Sequence, residues 1–69
     1  MQLTVNGESH TVETGDVASL DDLLSHLEID AARGVAVAVN ERVVPQGRWN
    51  RTELDDGDRV EIIRATQGG

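Results

Sequence analysis

QLTVNGESHTVE, residues 2–13, decides the fold class. Leu3 and Val5 alternate with Gln2, Thr4 and Asn6, the period of a strand with one buried face. Asn6-Gly7 follows at once. A two-residue type I′ turn needs positive φ at both central positions, and Asn-Gly meets that need at little cost. A second strand, 9–13, then brings Val12 inward, with His10 and Thr11 beside it. Residues 2–13 therefore read as an N-terminal hairpin whose apolar face has to be covered by something later in the chain.

The cover comes next. Thr14, Gly15 and Asp16 break the alternation. In SLDDLLSHL, 19–27, Leu20, Leu23, Leu24 and Leu27 then fall on one helical stripe. Ser19 and Asp22 have the spacing of a capping box, with Asp in place of Glu or Gln. Asp21 and Asp22 suit the positive end of the helix dipole, and His26 the other end. The pattern predicts a helix ending near Glu28 or Ile29. Gly34 precedes VAVAVN, 35–40, in which Val35, Val37 and Val39 share one face and Ala36 and Ala38 the other. Asn40-Glu41 reads as a turn and Arg42 to Val44 as a short strand. Pro45 ends that strand, because it has no amide to donate. Residues 46–54 are expected to be irregular, with Trp49, the single aromatic, buried as a lid on the core edge. Asp55 to Asp58 reads as a tight turn, and 59–65 as the last strand. The order is ββαββ with one short segment between the last two strands. A single helix can cover only one face of the sheet.

Composition narrows the function. A chain of 69 residues is one domain. It has no cysteine, so thiolate nucleophiles and zinc–sulfur sites are excluded, and a reducing, cytoplasmic setting fits. No apolar run approaches a membrane span, and the first residues lack the basic start and apolar core of a signal peptide. The formal net charge of −7 disfavours nucleic acid and favours a partner with a basic docking surface. All six cations are arginine. Without a lysine amine the chain cannot be extended into lysine-linked chains of itself.

Catalytic constellations are not evident. His10 and His26 sit on different elements at positions expected to be exposed. Asp55, Asp56 and Asp58 are explained by turn chemistry and lack the ligand spacing of a calcium loop, so no metal site is expected. Ser9, Ser19 and Ser25 have no nucleophile context. The domain is therefore expected to span 1–65, with 66–69 a flexible Gly-Gly tail. Gly68 and Gly69 have no Cβ, so the end of the chain is thin and its terminal carboxylate sterically bare. Such a carboxylate is a poor electrophile until another enzyme activates it. The alternative is an ordinary frayed terminus.

With VNG at 5–7, the leucine helix at 20–27, VAVAVN at 35–40, VVP at 43–45, RW at 48–49, LDDGDRVEI at 54–62 and the final QGG, the chain resembles the ThiS family of sulfur carriers in thiamine biosynthesis. The resemblance implies an α+β, ubiquitin-like β-grasp fold: a mixed four- to five-stranded sheet with one helix packed on one face. It implies that the protein is a carrier and not an enzyme. An ATP-dependent, ThiF-type activating enzyme would adenylate Gly69, and a sulfur-donor system would convert it to a thiocarboxylate. Thiazole synthase would then take the sulfur for the thiazole ring. Thr66, Gln67 and Gly68 would thread the partner active sites. The carrier would bind no cofactor itself and would be a monomer when free. A carrier of the molybdopterin synthase small-subunit type and a ubiquitin-like protein modifier are the alternatives. On the β-grasp arrangement Leu3, Val5, Val35, Val37, Val39, Val60 and Ile62 face the helix, and Thr4, Ala36, Ala38 and Ile63 face away. With Glu61, that outer face is expected to dock partners, and acidic charges there and in the 55–58 turn to add salt-dependent steering. The competing expectation is that 42–53 folds over part of it.

Overall fold

The structure is a computed structural model and describes residues 1–13, 15–29 and 34–64. The expected boundary between 1–65 and 66–69 lies outside these residues. Five strands form one sheet: β1 Gln2–Val5, β2 Glu8–Thr11, β3 Val35–Val39, β4 Arg42–Val44 and β5 Arg59–Arg64. Their order across the sheet is β2-β1-β5-β3-β4. β5, last in sequence, lies in the middle. It is parallel to β1 and antiparallel to β3, while the two hairpins β1–β2 and β3–β4 are antiparallel. The helix, α1 Leu20–His26, covers one face.

Local chemistry explains the elements. Asn6 and Gly7 have φ of 50° and 84°, and Asn40 and Glu41 have φ of 51° and 69°. Both hairpins thus close on two left-handed residues, as a type I′ turn requires. The capping box is formed. Ser19 Oγ accepts the Asp22 N–H at 3.2 Å, and Asp22 Oδ2 accepts the N–H groups of Ser19 at 3.3 Å and Ala18 at 3.1 Å. The helix ends two or three residues earlier than expected, at His26, with Leu27 as its C-cap. Glu28 takes φ 59°, its N–H reaches the Ser25 carbonyl at 3.0 Å, and the Ile29 N–H reaches Leu24 at 2.9 Å. This is a Schellman ending with Glu where glycine is usual.

Three other expectations are corrected. The second strand is Glu8–Thr11. Val12 lies just beyond it, still buried and held by its N–H to the Met1 carbonyl at 2.9 Å. His10 is half-buried, while His26 is exposed. Residues Gln46–Arg51 form a 3-10 helix instead of irregular chain. Pro45 starts it by accepting the Arg48 N–H at 2.9 Å, and Thr52 Oγ1 closes it on the Arg48 carbonyl at 2.7 Å. The turn seats Trp49 at 2% exposure in the core, its indole N–H donating to the Val44 carbonyl at 2.8 Å.

The core joins Leu3, Val5, Val37, Val60 and Ile62 of the sheet to Leu20, Leu23 and Leu24 of α1. Val12, Val17, Trp49 and Leu54 close its edges, with Leu27, Val35 and Val39 partly buried against it. The 55–58 turn is spent on structure. Asp58 Oδ2 accepts the Asp55 N–H at 2.8 Å, Asp56 Oδ1 accepts the Gln2 N–H at 2.6 Å, and the Gly57 N–H reaches the Gln2 carbonyl at 2.7 Å. The turn thereby fastens the start of β5 to the start of β1.

Candidate functional site

The sheet face opposite α1 carries the expected docking residues. β5 alternates: Val60 and Ile62 are buried, while Arg59, Glu61 and Ile63 are exposed. Cross-strand pairs set Ile63 beside Ala36 and Glu61 beside Ala38, and Ala38 in turn beside Val43 of β4. Thr4 lies on the same face across β5, paired with Arg59 and half-buried. All five expected residues thus share one face, with Ala36, Ala38, Glu61 and Ile63 in contiguous pairs and Thr4 set apart from them.

Sequence reasoning missed Val43. Ile63 at 61% and Val43 at 76% are the exposed large hydrophobics among the described residues, and both lie here. The signal for Val43 was present in Arg42-Val43-Val44, where only one of the two valines can point inward. Deciding which one needed the register Val37–Val44. The 42–53 segment does not cover this face. β4 extends it at the sheet edge, and the 3-10 helix packs beside α1 on the other side, with Trp49 in the core.

Charged groups rim the strip. Arg59 and Glu41 approach to 3.8 Å, both exposed, which contributes little in water. They border an open depression that Thr4, Asn6, Gly7 and Glu61 also line. Among the described residues no polar or charged side chain is buried, and no group of three His, Asp or Glu could hold a metal ion. His10 on β2 and His26 on α1 are not brought together with one another at any described site. β5 ends at the exposed Arg64, and Thr66, Gln67, Gly68 and Gly69 lie outside the described residues.

The order β2-β1-β5-β3-β4 with one helix on one face is that of a ubiquitin-like β-grasp. The ThiS family model matches residues 2–69. The chain belongs to the ThiS family. A ThiS-family chain is a sulfur carrier of thiamine biosynthesis, which decides between the two carrier types weighed from the sequence. The chain is similar to the sulfur carrier protein ThiS of Escherichia coli (strain K12), at 29% identity over the whole of both chains. It superposes on the crystal structure of the thiamine biosynthesis protein ThiS from Geobacter metallireducens with a TM-score of 0.84, at 36% identity and full coverage of both. It is also 33% identical to part of a thiazole synthase of Paramagnetospirillum magneticum; all 69 residues align, but they span 20% of that protein's length. No helix among the described residues is long and apolar enough to cross a membrane.

Proposed function

We propose that this ThiS-family chain carries sulfur as a thiocarboxylate on Gly69. The observation that carries the reading is the family match itself, which runs through Gly68 and Gly69. An activating enzyme of the ThiF type joins the Gly69 carboxylate to the AMP portion of ATP, and pyrophosphate leaves. Sulfur at the hydrosulfide level, supplied by the donor system, then attacks the acyl carbon. The C–S bond forms, the bond to the AMP oxygen breaks, and AMP departs. Thiazole synthase takes the sulfur, and the carboxylate returns with oxygen in its place. The chain acts as a co-substrate in the cytoplasm, monomeric when free, and the ATP belongs to the activating enzyme. Glycine at both final positions suits this role, because no Cβ crowds the acyl carbon and a narrow channel can admit the chain. Thr66 and Gln67 bridge from the domain to those glycines. The P. magneticum thiazole synthase supports the pairing of carrier and synthase, since a segment similar to this chain lies within it. Intact mass of the protein from its native host is expected to show the gain of one sulfur for one oxygen at Gly69. An amide-linked adduct to another protein would overturn the carrier reading in favour of a modifier.

The strip formed by Ile63, Ala36, Ala38 and Val43 is the docking surface, with Thr4 and Glu61 on its rim. It lies at the end of β5, one residue before Arg64, the last described residue ahead of the tail in sequence. The net charge of −7 adds electrostatic steering toward basic partners. Ile63→Asp combined with Ala36→Arg is expected to raise the KM for adenylation by about tenfold or more, the loss of roughly one interface anchor. Both side chains are exposed, so the unfolding midpoint should barely move. Unchanged kinetics with the activating enzyme would remove the strip from the interface.

A further inference from the structure

β1 and β5 pair in parallel through Thr4–Arg59 and Val5–Val60, and the Asn6 main-chain N–H adds a bond of 2.9 Å to the Val60 carbonyl. There β1 turns away into Asn6-Gly7, while β5 runs on to Arg64. On the far side β5 stays paired with β3 as far as Val35–Arg64. On the near side the next backbone groups of β5 belong to Ile62. A continuing parallel strand would offer them a carbonyl and an amide. The Asn6 side chain offers both instead. Its Oδ1 accepts the Ile62 N–H at 2.8 Å, and its Nδ2 donates to the Ile62 carbonyl at 3.3 Å. A primary amide has the donor and acceptor of a peptide group. It therefore replaces the missing peptide at the point where pairing would otherwise stop, two residues before the end of β5.

We propose that Asn6 is a positioning residue for the tail. Its amide holds Ile62 against the end of β1, and so sets the orientation of Ile63 on the docking strip and the course of β5 up to Arg64, from which the tail continues in sequence. The proposal rests on the carrier function above, but the clamp is separable from the turn. At φ 50° the turn would accept glycine as readily as asparagine, and only asparagine supplies the amide.

Asn40 provides the control. It also has positive φ and also binds β5 through its side chain. Its Oδ1 accepts the Arg59 N–H at 2.9 Å, and its Nδ2 donates to Asp58 Oδ1 at 2.9 Å. Those contacts hold the start of β5, away from the tail. Asn6→Gly and Asn40→Gly thus each keep a turn-compatible residue and each remove two side-chain bonds, so similar losses of melting temperature are expected.

The experiment compares the two variants in the full chain, by amide hydrogen exchange and by steady-state adenylation with the activating enzyme. In Asn6→Gly, exchange at Ile62, Ile63 and Arg64 is expected to quicken by about tenfold or more, as local opening becomes easier. KM should rise by about tenfold with kcat less affected, because a preorganised docking surface is lost. Asn40→Gly should leave both readouts near wild type. Asn6→Asp keeps the acceptor for the Ile62 N–H and loses the donor, so it should fall between wild type and Asn6→Gly. Equal exchange rates in Asn6→Gly and Asn40→Gly, or equal KM values at matched stability, would overturn the proposal. A wild-type chain that is not adenylated at all would strike the carrier reading instead, and the exchange comparison alone would then decide for or against the clamp.

Discussion

Removal of Gly68 and Gly69 is expected to abolish adenylation while leaving the unfolding midpoint unchanged. The two halves of that result have separate causes. The buried apolar residues described run from Leu3 to Ile62, and the strand pairings end at Val35–Arg64. None of these contacts is deleted with the glycines. The chemistry is deleted with them. The new terminal carboxylate would be that of Gln67, with a Cβ and side chain beside the acyl carbon. It would also fall short by about 7 Å, the span of two extended residues. In a channel that requires reacting atoms within about 3.5 Å of one another, such a deficit is prohibitive. Gly69→Ala isolates the steric part, because it keeps the length and adds one methyl group. It should be activated more slowly than wild type and faster than the truncated chain. Pyrophosphate release by the activating enzyme and a urea titration measure the two halves. Residual full-rate adenylation of the truncated chain would show that Gly69 is not the acceptor. A large loss of stability would show that the last residues pack.

Trp49→Ala is expected to leave much of the population unfolded at 25 °C. Trp49 heads the fully buried side chains by volume, and it closes the core between α1 and β4. Truncating a buried aromatic to alanine costs about 3–5 kcal/mol. The variant also removes the indole N–H bond to the Val44 carbonyl. A domain of this size buries only about 60% of its unfolded surface, less than a larger domain does, and stands near the lower end of the usual range of about 5–15 kcal/mol. The loss therefore takes most of the stability. Trp49→Phe keeps most of the buried area and loses the donor, so it should cost about 1–2 kcal/mol and remain folded. Far-ultraviolet circular dichroism against urea reads both variants, since the fluorophore is gone. An alanine variant with a wild-type midpoint would mean that the 3-10 helix is dispensable to the core.

These expectations differ in how much of them the residues announced. Asn6-Gly7, the Ser19–Asp22 box and the leucine stripe were legible, because each is a local arrangement whose chemistry repeats in any context. Alternation separated the two faces of β3; which of them meets the helix, and both faces of β5, were read on the β-grasp arrangement that the resemblance implies. Gln46–Arg51 was not legible. Its sequence has no helical period, and the turn exists because Pro45 starts it and Trp49 gains a buried seat. Val17 and Leu54 escaped notice as core residues for a related reason. Their burial at 0% and 6% depends on two loops meeting, where the Leu20 N–H reaches Thr52 at 2.8 Å and the Leu54 N–H reaches Ala18 at 3.4 Å. Val43 needed the register of β3 with β4 before its exposed side could be assigned.

By itself the sequence determined four of the five strands' approximate extents, the helix and its leucine stripe, the order of these elements and the two-glycine end, all from interactions within a few residues, while the 3-10 turn and the exposed side of β4 waited on packing and register. Tertiary structure alone decided that β5 enters between β1 and β3, parallel to the first and antiparallel to the second. It also decided that the Asn6 amide meets Ile62, 56 residues away along the chain. Such a contact costs loop-closure entropy that no local pattern repays. It forms because the whole sheet, once packed on α1 and Trp49, leaves one peptide's worth of pairing unfilled beside the strand that leads to the tail.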